Sequence, residues 1–201
     1  MEEPTNLEIL KEFAKSTGRQ IFNEEIIYPS SGGIRNYQKS RQTIYIPYDN
    51  SNTNFFIWYS DPFTRGGIPT DFCGAFIPIS SQTKAELNIR KKYFIDKLNI
   101  FSDSKSNIGS RDFRSKVIMK GDINNTEIIK LLSHSRAQGQ ILKVLDMEML
   151  INISINEFNI DFIPELKNKA YLSIINPQSW CTEKKDIEDI FKQMELLRSF
   201  I

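Results

Sequence analysis

The side chains that most often carry chemistry near neutral pH are scarce in this chain. Its 201 residues include one histidine, His134, and two cysteines, Cys73 and Cys181. Imidazole and thiolate supply much of biological proton transfer, soft-metal ligation and thiol nucleophilicity, and these three residues show no spacing that assembles a catalytic or metal site. The cysteines stand 108 positions apart in apolar surroundings, Phe72-Cys73-Gly74-Ala75-Phe76 and Trp180-Cys181. That pattern predicts two buried thiols, no disulfide and a reducing, cytoplasmic setting. His134, in Leu132-Ser133-His134-Ser135-Arg136, falls at a predicted helix end, where a cationic imidazole would sit against the C-terminal carbonyls.

Carboxylates offer one enzymatic alternative. Asp161 with Glu165-Leu166-Lys167 has the residue types of metal-dependent nucleases, in which two carboxylates hold Mg²⁺ and a lysine steadies the attacking water. Pro164 interrupts the trio, and Glu-x-Lys recurs as the surface triplet Glu183-Lys184-Lys185. Asp161, Glu165 and Lys167 therefore stand as the sites of the alternative reading, a metal-dependent hydrolase or nuclease. The glycine pairs in Ser31-Gly32-Gly33 and Thr64-Arg65-Gly66-Gly67 lack the spacing of phosphate-binding loops and read as turns. No motif implies a cofactor.

Charge is uneven although the net charge is only +1: residues 84–120 carry ten basic and four acidic side chains. Arg90, Lys91 and Lys92 precede a polar loop over residues 102–110, and Arg111, Arg114, Lys116 and Lys120 follow it. If residues 113–119 form a strand, Arg114 and Lys116 share a face, a row of cations suited to phosphate, an anionic surface or an acidic partner protein. A charged outer strand face is also how antiparallel sheets ordinarily meet water.

The remaining pattern sets the elements. Leu7, Leu10, Phe13 and Ala14 predict a helix over 5–17 that Thr5 or Asn6 caps and Gly18 stops. Residues 23–42 read as loop. Thr43 to Tyr48 and Phe55 to Tyr59 predict a hairpin, with Pro47 pairing only partly or lying on an edge. The aromatic run Phe55, Phe56, Trp58, Tyr59, with Phe63, is apolar on both faces and predicts central burial rather than base stacking. Strands follow near 73–79, 85–90 and 113–119, a short helix near 93–98, and helical runs over 128–132 and 141–145. Residues 150–155 alternate as a half-buried strand, 170–175 form a last strand, and a helix runs from about 183 to the end. Strands in runs with N-terminal, central and C-terminal helices predict an α+β fold with a mainly antiparallel sheet, read as one domain over 1–201 with lobes 1–101 and 111–201 joined by the loop.

The stretches Leu87 to Phe94, Asn107 to Phe113, Val117 to Asp122 and Ile128 to Leu132 resemble a widespread group of bacterial proteins of unknown function. That resemblance implies an accessory role and carries no functional residue across. No apolar run is long enough to span a bilayer. The reading is thus a non-catalytic bacterial binding domain for a protein partner, using a sheet edge and the segment 84–120, with a nucleic-acid-binding module as a further alternative.

Overall fold

Apolar residues that alternate poorly have to be buried on two sides, and the chain meets this demand with one eight-stranded antiparallel sheet placed between two covers. In the computed structural model the described residues are 4–28, 39–49, 54–62, 70–79, 83–94, 96, 108–178 and 182–200. The strands are β1 (Phe22–Ile27), β2 (Ser40–Pro47), β3 (Phe55–Asp61), β4 (Thr70–Pro78), β5 (Leu87–Lys91), β6 (Val117–Gly121), β7 (Asn152–Ile155) and β8 (Tyr171–Asn176). Their spatial order is β1-β2-β3-β4-β8-β7-β5-β6. Strands from both sides of residues 102–110 therefore share the sheet.

Among the described residues the helices include α1 (Asn6–Thr17), α2 (Arg111–Lys116), α3 (Thr126–Ser133), α4 (Ser135–Leu145) and α5 (Lys184–Arg198). All five contribute to the cover of one face, where Phe13, Phe113, Leu132, Ile141, Ile190 and Phe191 meet Ile44, Phe56, Ala75, Ile89, Ile153 and Ile174 of the strands. Residues 156–170, the connection from β7 to β8, cover the other face: Ile160, Ile163 and Leu166 pack on Phe55, Ile57, Phe72, Phe76 and Ile175. Asn156 adopts a left-handed conformation (φ 53°). Its side chain donates to the Thr83 and Ala85 carbonyls at 2.9 and 3.0 Å and accepts from the Tyr171 amide at 3.0 Å, anchoring the start of this cover. The Tyr171 hydroxyl closes on the Phe158 backbone.

The predicted first helix forms with Thr5 as its cap, Glu8 completing a capping box, and Gly18 in the left-handed region at its end. Arg19 follows at once and ties three elements together. Its guanidinium pairs with both carboxylate oxygens of Glu188 at 2.5 and 3.1 Å, donates to the Tyr48 carbonyl at 2.9 Å, and lies 5.3 Å from the ring centres of Phe13, Tyr48 and Phe191. Planar, weakly hydrated and always charged, arginine suits such a half-aromatic, half-ionic site. The predicted hairpin forms as β2 and β3. Pro47 pairs with Phe55, whereas β1 reaches only to Tyr45, so the proline lies at a partly paired end as its missing amide requires. Phe55, Phe56 and Trp58 of the aromatic run are buried as expected, and Tyr59 is half-buried.

Four expectations need correction. Residues 113–119 are not a single strand: Ser110 caps α2 by accepting from the Phe113 amide, and only then does β6 begin, in register with β5 at Lys91↔Val117. Burial of Phe113 in the helical core favours the turn of helix. Residues 23–42 are not all loop, since β1 pairs along its whole length with β2. On β7, Ser154 is buried and bonded to Ser173 of β8 at 2.6 Å, so this strand is not half-exposed. Cys73 is disulfide-bonded rather than a thiol; burial of a cysteine does not distinguish the two forms in sequence. Cys181, Phe63, both glycine pairs, residues 102–107, and residues 95, 97 and 98 of the predicted short helix lie outside the described residues.

Close approach of β4 to β8 depends on Gly74, where a Cβ would lie 2.1 Å from the Ile174 carbonyl oxygen and 2.7 Å from the Ile175 Cα. Backbone cannot move aside as a side chain can. Gly74→Ala is expected to cost about 3 kcal/mol in denaturant unfolding, at the upper end of overpacking effects; a change within experimental error would contradict this packing.

Candidate interaction surface

The basic segment folds into several places rather than one row. Arg90 on β5 makes a two-pronged pair with Asp96 at 2.7 and 2.6 Å, and the Tyr93 amide donates to the same carboxylate at 2.8 Å. Lys91 pairs with Asp146 at 2.5 Å, and Lys116 with Asp112 at 2.9 Å one helical turn away. The Lys92 amide bonds the Lys116 carbonyl. Arg114 and Lys116, two residues apart on α2, point about 200° apart around its axis. Arg111 and Lys120 are exposed, on α2 and β6 respectively. Ion pairing at Arg90, Lys91 and Lys116 cancels much of the field these cations would otherwise project toward an anion.

Asp161, Glu165 and Lys167 all fall in the cover over residues 156–170. Asp161 and Lys167 are exposed, and Asp161 accepts a weak bond from the Asn168 amide. Glu165 is half-buried, its Oε2 enclosed without a hydrogen-bond partner, and its charge acts on Tyr45 of β2, whose hydroxyl is pushed up mainly by burial. The acids thus face different surroundings, and among the described residues no three His, Cys, Asp or Glu side chains are placed to hold a metal ion. His134 is exposed at the junction of α3 and α4, where its carbonyl accepts from the Gln138 amide.

The most unusual surface is one the pattern of residues concealed. All six residues of β1 are exposed, and they include Phe22 at 40%, Ile26 at 38% and Ile27 at 55% of full exposure. The Tyr28 amide donates to the Lys39 carbonyl at 2.9 Å, so the two-residue period points the backbone groups of Ile26, Glu24 and Phe22 at β2. Those of Asn23, Glu25 and Ile27 point away from the sheet. Among the described residues these outward donors and acceptors have no backbone partner, and they lie beside apolar side chains on both faces; the edge carries the charges of Glu24 and Glu25 but no lysine or proline. By contrast β6, at the opposite edge, buries Val117, Ile118 and Met119.

A buried polar group stiffens the base of β1. Asp61, 6% exposed, accepts from the hydroxyls of Tyr28 at 3.0 Å and Tyr59 at 3.1 Å. Burial and the Asp61 charge push the Tyr59 hydroxyl up to about 12, and burial raises that of Tyr28 as well. Both phenols therefore remain protonated donors across the physiological range. Phe22 stacks on Tyr45 with ring centres 4.7 Å apart, and Arg41 on β2 approaches Glu24 at 3.7 Å. The strand is held in place although neither of its faces is covered.

The Arg90–Asp96 pair gives a test by pH. The Asp96 carboxyl is held well below the usual aspartate range, first by the Arg90 guanidinium and then by the Tyr93 amide. Such a group contributes stability above the unfolded-state value near 4, and the contribution fades as pH falls toward the lower folded-state value. Asp96→Asn is expected to lower the melting temperature at pH 6, with the difference from the native chain narrowing below about pH 4; a constant difference would contradict the pairing. Compared with protein-family models, with curated proteins and with solved structures, the chain matches none.

Proposed function

We propose that this chain is a non-catalytic binding domain that receives an extended segment of a protein partner along β1, as an added strand of its sheet. The reading is supported by one observation above the others: a six-residue edge strand, exposed at every position, with apolar side chains and outward-pointing backbone groups at Asn23, Glu25 and Ile27. Strand addition draws its affinity from main-chain hydrogen bonds and its selectivity from alternate side chains, and β1 supplies both. The ion pairs at Arg90, Lys91 and Lys116 favour this reading over nucleic-acid binding, because three of the cations a phosphate backbone would neutralise are already paired with carboxylates. The accessory role fits the sequence resemblance to the bacterial group.

The two sides of β1 can be separated by proline. Asn23→Pro and Ile27→Pro each remove an amide that points outward, while Glu24→Pro removes one directed at β2. Short unstructured peptides selected from a displayed library for binding to the whole chain provide the probe. Asn23→Pro and Ile27→Pro are expected to weaken the selected peptides severalfold with little change in melting temperature, whereas Glu24→Pro destabilises the domain itself. Selected peptides whose affinity is indifferent to the two outward substitutions would contradict docking at β1.

A further inference from the structure

The side chains along β1 specify more than an open edge. Phe22, Glu24 and Ile26 share the face of Tyr45, their registers being Phe22↔Tyr45, Glu24↔Thr43 and Ile26↔Arg41; Asn23, Glu25 and Ile27 share the opposite face. Each face therefore offers one carboxylate beside at least one exposed apolar side chain. Among the described residues Glu24 has a distant approach from Arg41, at 3.7 Å, and Glu25 has no ion pair. An added strand puts its own side chains directly opposite these, about 5 Å away, where opposite charges attract and like charges repel.

A second copy of the chain fits poorly. Two β1 strands related by a twofold axis and paired through their outward groups place Glu25 against Glu25 when the axis passes through residue 25, or Glu24 against Glu24 when it passes through residue 24. Centring on Ile26 relieves the clash but, among the described residues, limits the ladder to residues 24–28, and it sets Glu25 against Ile27. Each fuller register buries like charges side by side.

Resting on the strand-addition reading, we infer that the segment received by β1 belongs to a different protein and carries two adjacent basic residues opposite Glu24 and Glu25, with apolar residues opposite Phe22, Ile26 and Ile27. The face of Phe22, Glu24 and Ile26 then gains one opposite-charge pair and two apolar contacts, and the other face one of each. In the antiparallel sense the matching pattern is apolar, apolar, basic, basic, polar, apolar.

The probes are two capped peptides, Val-Val-Lys-Lys-Thr-Val and Val-Val-Glu-Glu-Thr-Val, titrated into the whole chain at low salt while amide shifts are followed by NMR. The lysine peptide is expected to shift the β1 amides and to bind about tenfold more tightly than the glutamate peptide, as two exchanged cross-strand charge pairs imply. The preference should shrink at high salt and reverse in the Glu24→Lys, Glu25→Lys double variant, whose exposed substitutions leave the fold intact by circular dichroism. Equal binding of the two peptides at β1 would overturn the charge assignment and leave strand addition standing. Failure of both peptides to shift β1 would overturn both, as would sedimentation showing the native chain dimeric with β1 amides protected in the dimer.

Discussion

Burial on both sides of the central strands is the constraint from which the rest of the molecule follows. On β3, Phe55 and Ile57 pack beneath the 156–170 cover while Phe56 and Trp58 face the helices. All six residues of β8 are buried. A strand of this kind is stable only between two layers, since roughly 1.5–3 kcal/mol is at stake for each large apolar side chain left in water. Helices α1 to α5 supply one layer. The other is a single turn-rich connection, held by Asn156 at one end and by the Tyr171 hydroxyl on Phe158 further along. Loss of either anchor would uncover the aromatic group of Phe72, Phe76, Phe158 and Tyr171, whose ring centres lie 4.5–5.9 Å apart.

The same constraint explains why β1 is different. The cover contributes Phe162 over Tyr59 and Glu165 near Tyr45, and the helical layer reaches Ile44 and Ile46 of β2. Neither layer buries a residue of β1, which is fixed by its ladder to β2, by the Phe22–Tyr45 stack and by the neighbouring Tyr28–Asp61–Tyr59 group. A strand so held keeps its extended shape before any partner arrives. Preorganisation of this kind lowers the ordering cost of association, which otherwise consumes much of the energy gained from contact.

The sequence made legible those elements whose burial is one-sided or total. Leu7, Leu10, Phe13 and Ala14 keep helical spacing because α1 buries a single stripe, and the run Phe55 to Tyr59 betrays a central strand because both faces are apolar. Where tertiary context decides, local pattern misled. Arg114 and Lys116 alternate as they would in a strand, yet Phe113 between Ser110 and the helical core draws this stretch into α2. Phe22 to Ile27 shows no alternation because neither layer buries either of its faces, so the residues proposed for docking carry no signal of burial. Asp161, Glu165 and Lys167 were close in sequence, but a turn-rich cover turns Glu165 inward and leaves the other two in solvent. The polar group at Asp61 has no local signature, since Tyr28 comes from 33 positions away and Tyr59 lies within an otherwise apolar run.

The central claim is that β1 accepts an added strand through the backbone of Asn23, Glu25 and Ile27. Intermolecular nuclear Overhauser contacts between these residues and an isotopically distinguished bound peptide test it most directly. The account predicts a cross-strand ladder from the amides of residues 23, 25 and 27 to alternate residues of the peptide. Contacts confined to the 156–170 cover, or to β5 and β6, would contradict it.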